Sequence, residues 1–200
     1  SMAVDLEWLY QLTIEDGTAF GDRYAIGKLR GLPDDDLAAD MYAATQDICE
    51  AAGFTSYEVS NHDRPGCESI HNQIYWRYGD YAGIGPVAHG LLTLDGQRYA
   101  TETPLWPTAW LQQVEHAGNG ESTRSVLTAE DQRAEMLLMG MRLREGVDLN
   151  RFKISQSDSF TNKINNLREI GMVELTENRL QLTAQGRPLL NAVLRTLLAD

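Results

Sequence analysis

Two hundred residues with 42% hydrophobic and 23% charged side chains are enough for one domain or two modest ones with a real core, which excludes both a disulfide-stapled mini-protein and wholesale disorder. A formal net charge of −12 sets the chain against phosphate backbones and anionic lipid surfaces, so nucleic acid is not an expected partner. No run approaches the roughly 18 apolar residues of a membrane span, and Cys49 and Cys67 allow neither a disulfide framework nor a four-thiolate metal site.

The N-terminus carries no signal-peptide pattern, and the chain reads as soluble and cytoplasmic with reduced thiols. Ser1-Met2-Ala3 reads as a cloning scar on an internal fragment. Leu6, Trp8, Tyr10, Leu12 and Ile14 share one parity, the period of a strand, up to the turn at Asp16-Gly17-Thr18. The acidic triplet Asp34, Asp35, Asp36 suits the free N–H groups of a helix start, and the spacing of Leu37, Met41, Ala44 and Ile48 predicts a helix over 35–52 that ends at Gly53. Residues 54–60 are short and β-prone, so this helix sits between two strands as in a βαβ unit.

Residues 61–90 read as a long loop, a length that is usually functional. Two short strands, 91–94 and 97–101, are joined by the Asp95-Gly96 hairpin signal. A helix over Pro107 to about Glu115 ends at Gly118-Asn119-Gly120. Charge then shifts, from a net −13 over residues 1–147 to +1 over 148–200. Thr128 to Asp131 resembles a capping box that opens a helix bearing Ala134, Leu137, Leu138 and Met141. A second helix, around 157–169, places Phe160, Ile164, Leu167 and Ile170 on one face. A small hairpin around Glu177-Asn178 and a last helix with Leu190, Val193, Leu194 and Leu197 complete the outline of a winged helix. Its recognition-helix position offers only Lys163 and Arg168, too few cations for a phosphate backbone, so the module is expected to pack on the α/β part or to hold a protein partner.

Chemistry concentrates between Tyr57 and Gly90, where three of the four histidines lie among aromatics. An imidazole at His71 beside Tyr75 and Trp76 suits a large planar ligand, with the ring nitrogen on an iron and the flat side chains against the macrocycle. Gly83, Gly85 and Gly90 would let backbone approach such a ligand. The same residues also fit a structural role, His71 as a hydrogen-bonded loop residue and the Tyr-Trp pair as core. The spacing of His62, His71 and His89 matches no compact zinc motif, and no GxSxG elbow is present.

The run YEVSN…RPG…HNQIYW…DYAGIGPVAHG, with YQLTIEDGT near the start, resembles the C-terminal half of the oxygen-independent coproporphyrinogen III oxidase-like proteins, the radical S-adenosylmethionine (SAM) family that includes the haem chaperones called HemW. The resemblance implies an α/β fold: the last strands and helices of a partial (β/α) barrel, including the HNQIYW loop, over 3–120, followed by a winged-helix-like α+β domain over 121–200. It implies haem binding at His71, Asn72, Tyr75 and Trp76, with His71 as the candidate iron ligand. It makes Gln11 and His89 candidates for the SAM or substrate cavity.

A [4Fe-4S] cluster and SAM belong to the intact protein only, because the cluster motif is missing here and two cysteines cannot supply three thiolates. The chain alone is therefore expected to be inactive. Expected partners are haem or a porphyrinogen, haem-accepting proteins and, through exposed strand edges, a second copy of the chain. The chain departs from the family pattern at His62-Asp63, where an aromatic and a small residue are usual, and at Cys67, near which the family often has His. Three functions stand side by side: haem delivery, oxidative decarboxylation of coproporphyrinogen III, and a non-catalytic winged-helix interaction module. The HNQIYW motif favours the first.

Overall fold

The computed structural model describes residues 5–10, 13–151 and 158–199, a mixed α/β chain with three small three-stranded sheets. It divides into two compact units, Ser1–Glu68 and Ser69–Asp200.

In the first unit, strand β1 (Leu6–Trp8) is followed by helix α1 (Ala19–Ala25), helix α2 (Asp35–Ala51), strand β2 (Thr55–Ser56) and strand β3 (Asn61–Asp63). The sequence reading missed α1, which Thr18 caps by accepting the Gly21 N–H at 3.0 Å. Helix α2 begins where the acidic triplet predicts: Asp34 accepts the Leu37 N–H at 2.9 Å, and Gly53 leaves the helix at φ +81°. The expected strand over 6–14 is shorter. Its partner β3 has three residues, and pairing stops with Trp8↔Asn61; Leu12 lies outside the described residues.

The βαβ expectation needs a similar correction. Strands β1 and β2 run parallel to one another across α2, but β3 lies between them and is antiparallel to both. Residues 57–60 turn the chain from β2 into β3, with Ser60 N–H donating to the Glu58 carboxylate at 2.6 Å and the Tyr57 N–H to the Asn61 carbonyl at 3.2 Å. Among the described residues every strand pairing is antiparallel. The long loop expected over 61–90 is also more structured than its polar composition suggests, since it contains β3 and helix α3 (Ile70–Trp76).

In the second unit, strands β4 (His89–Leu94), β5 (Gln97–Glu102) and β6 (Thr123–Val126) form a meander, with helix α4 (Pro107–Ala117) between the last two. Asp95 and Gly96 both take positive φ, +50° and +78°, the geometry of the expected hairpin turn. Helix α5 (Ala129–Gly140) opens with the expected capping box: Thr128 Oγ1 accepts the Asp131 N–H at 3.1 Å, and the Asp131 carboxylate accepts the Thr128 N–H at 2.9 Å. Of its predicted apolar face Leu137 and Met141 are fully buried, whereas Leu138 is exposed.

Strand β7 (Val147–Asp148), helix α6 (Asp158–Glu169), strands β8 (Val173–Thr176) and β9 (Arg179–Leu182), and helix α7 (Leu190–Leu198) follow, so the predicted helix, helix, hairpin, helix order is present with β7 added to the edge of β9. Helix α6 buries Phe160, Ile164 and Leu167 as expected, but Ile170 falls beyond its end and is 61% exposed. Leu190, Val193, Leu194 and Leu197 of α7 are buried, and with Leu137, Leu180 and the α6 residues they make the core of this unit.

Candidate functional site

Ser69 starts α3 by accepting the Asn72 N–H at 3.3 Å, and 3.6 residues per turn then separate the motif's side chains into two rows. His71 and Tyr75 share one row. The exposed imidazole meets the Tyr75 ring edge-on at 4.8 Å and 72°, and Tyr75 lies against Tyr81 at 4.3 Å and 53°. These three rings make a partly exposed aromatic face with a histidine at its rim. Asn72 and Trp76 share the other row. The Trp76 ring lies under the Arg142 guanidinium at 4.8 Å, and its buried indole N–H has no hydrogen-bond partner among the described residues.

The segment after α3 is held by a network that sequence reasoning did not foresee. Tyr78, buried at φ +56°, donates its hydroxyl to Glu135 at 2.7 Å and lies 3.9 Å beneath the Arg98 guanidinium. Arg98 donates to the Tyr78 and Gly79 carbonyls at 2.8 and 3.1 Å and to the Asp80 carboxylate at 2.9 Å. Burial, with the Glu135 hydrogen bond, pushes the Tyr78 hydroxyl well above its ordinary value, so it stays a donor. Burial and the neighbouring Tyr75 likewise raise Tyr81, so its phenol stays neutral.

Burial alone would raise the Asp80 carboxyl, but hydrogen bonds from Thr93 and the charge of Arg98 carry it below the ordinary carboxylate range. A folded value below the unfolded one stabilises above the ordinary range, and that stability is lost as pH falls through the folded value. Asp80→Asn is therefore expected to cost about 1 kcal/mol at neutral pH, a figure discounted for a side chain 42% exposed. The gap should be smaller at an acidic pH below the ordinary carboxylate range, where the native carboxyl also protonates. Urea unfolding of both forms at the two pH values checks this; a gap independent of pH would assign the loss to shape.

The other sequence candidates lie elsewhere. Gln11 falls outside the described residues. His89 is exposed at the start of β4, opposite Glu102. Gly83 and Gly90 serve an approach of chain to chain rather than of chain to ligand: a Cβ at Gly83 would come within 2.5 Å of the His89 carbonyl, and one at Gly90 would strike Thr101 Oγ1. Tyr81, in the DYAGIGPVAHG run, joins the aromatic face because its backbone bridges to Leu91.

An accessible imidazole beside two phenol rings in contact fits a haem; the donor set does not fit the [4Fe-4S] cluster. Only Cys49, buried in the first unit, and Cys67, exposed, are present, and among the described residues no three His, Cys, Asp or Glu side chains converge to hold a metal ion. Burial, and secondarily Glu7, holds the Cys49 thiol above its ordinary value, which disfavours the thiolate a ligand needs. Among the described residues no helix is long and apolar enough to cross a membrane.

Residues 127–189 match the model of the HemN C-terminal domain. The chain is 34% identical to radical S-adenosyl methionine domain-containing protein 1, mitochondrial, of Danio rerio, over 96% of its own length and 46% of that protein. It is 35% identical to heme chaperone HemW of Mycobacterium tuberculosis over 98% of its length and 48% of the relative, and 32% identical to heme chaperone HemW of Escherichia coli over 98% and 50%. The chain thus spans about half the length of the curated relatives it matches. Among solved structures, coproporphyrinogen III oxidase (HemN) from Escherichia coli, a radical SAM enzyme, shares the fold with a TM-score of 0.63 over 88% of this chain and 44% of that one, at 18% identity. The chain resembles the C-terminal part of the oxygen-independent coproporphyrinogen III oxidase-like radical SAM proteins, HemN and HemW among them, and its residues 127–189 match the HemN C-terminal domain.

Proposed function

We propose that this chain is the haem-holding part of a cytoplasmic HemW-like radical SAM protein that passes haem to acceptor proteins. The observation that carries the reading is the exposed His71 imidazole set 4.8 Å from Tyr75, whose ring meets Tyr81 at 4.3 Å with the planes tilted by 53°. His71 ligates the iron, and Tyr75 and Tyr81 lie against the porphyrin. Asn72 and Trp76, on the adjoining row, keep α3 seated on the second unit. Two relatives named heme chaperones support the assignment, and others named mitochondrial extend the family beyond bacteria.

In this reading residues 3–120 belong to a partial (β/α) barrel that the rest of the protein completes, and 121–200 act as a winged-helix-like domain. The cluster and SAM are held by that remainder, with His89 a candidate to contact SAM or substrate. Free strand edges pair two copies of the isolated chain.

Titration of the chain with haemin, followed in the Soret band, should show saturable one-to-one binding that His71→Ala weakens roughly tenfold or more. The substitution is on an exposed site, so the fold should persist. Titrations that do not saturate, or that coincide for both forms, would remove His71 as ligand and leave porphyrinogen oxidation by the intact protein as the better reading.

A further inference from the structure

The second unit holds a cavity of about 280 Å³ that the haem reading does not use. Its charged lining is Arg77, Arg151 and Arg179 against Glu145 and Asp148, an excess of guanidinium in a chain of net charge −12. Arg77 and Glu145 neutralise one another in a two-point pair, Nε to Oε1 at 2.9 Å and Nη2 to Oε2 at 3.1 Å. Asp148 accepts the Asn150 N–H at 2.9 Å.

The other two arginines are fixed by neutral groups. Arg151 Nη1 donates to the Arg77 carbonyl at 2.8 Å, and Arg179 Nη1 donates to the Glu145 carbonyl at 3.1 Å. Among the described residues neither has a carboxylate within ion-pair distance. The wall beside them is held in place: Gly146 sits at φ +64°, and a Cβ there would run into the Leu180 carbonyl. Trp76 and Met136 supply an apolar side. Trp76 follows His71 by five residues, about 140° around α3, so the cavity and the aromatic face lie on different sides of that helix.

We propose that this cavity binds a small oxyanion-bearing ligand, its carboxylate or phosphate oxygens taken by Arg151 and Arg179 and its carbon body lying against Trp76 and Met136. Guanidinium groups already anchored along one edge lose little freedom on binding, and their planar fork matches both oxyanions.

Calorimetric titration of the full chain with inorganic phosphate, and separately with succinate, against sodium chloride at matched ionic strength tests this. One or both should give saturable heat, and which of them does distinguishes phosphate from carboxylate. Arg151→Gln and Arg179→Gln should each weaken binding roughly ten- to a hundredfold, and Arg168→Gln, on α6, should leave it unchanged. Arg179 also steadies the backbone at Glu145, so Arg151→Gln, which gives up a single carbonyl contact, separates lost binding from lost fold. Heat no greater than chloride gives, or binding that survives both cavity substitutions, would overturn the proposal.

Discussion

Arg98→Ala is expected to destabilise the second unit by about 3 kcal/mol, because one side chain satisfies several groups at once. Its guanidinium, with a side chain only 12% exposed, bonds the Tyr78 and Gly79 carbonyls, Thr93 Oγ1 and the Asp80 carboxylate, and covers the Tyr78 ring. Alanine takes this donor from two carbonyls and leaves the Asp80 carboxylate to Thr93 alone, around a tyrosine held at positive φ whose conformation the network enforces. Arg98→Lys should recover less than half of the loss, since a point charge on a flexible stem cannot reach carbonyls and carboxylate together. Urea unfolding reads both variants; a loss under about 1 kcal/mol for alanine would show that packing of Tyr78 suffices alone. The same variant should loosen the Tyr75–Tyr81 contact, since Tyr81 follows directly on the anchored segment.

Leu180→Ala is expected to cost about 3 to 4 kcal/mol. Leu180 is 0% exposed on the central strand β9, facing Val147 on one side and Leu175 on the other across the ladder. Its truncation removes apolar contact and opens a void that strands pinned on both sides cannot close. Leu175→Ala, at a half-buried position of the edge strand β8, should cost less than half as much. Equal losses in chemical denaturation would mean that the sheet collapses around the void.

What the sequence made legible follows from how local each signal is. Asp34 at the head of α2, the Thr128–Asp131 box and the Asp95-Gly96 turn are each decided within four residues, and the structure has all three. Strand β3 was missed because Asn61, His62 and Asp63 are polar yet all buried, so neither alternation nor hydrophobicity marks them. Strand β6 was missed for the opposite reason, since its four residues are all exposed and only the neighbour β5 makes them a strand. The His71–Tyr75 pairing was within reach of the sequence once the motif is set on a helix, because the two are four residues apart. Tyr81 was not: its place depends on the bridge to Leu91. The arginine cavity draws on residues 77, 151 and 179, which no spacing rule connects.

The pairing of β7 with β9 also fixes an order of events. Strands β4 with β5, and β8 with β9, meet across two-residue turns, and such hairpins close in roughly microseconds. Val147 meets Leu180 across a much longer stretch of chain that includes helix α6, a closure whose entropy must be met before its contacts form. The corner lined by Arg151 and Arg179 is thus expected to form late in folding. An anion bound there lengthens the lifetime of the native state by slowing unfolding and leaves the rate of folding almost unchanged.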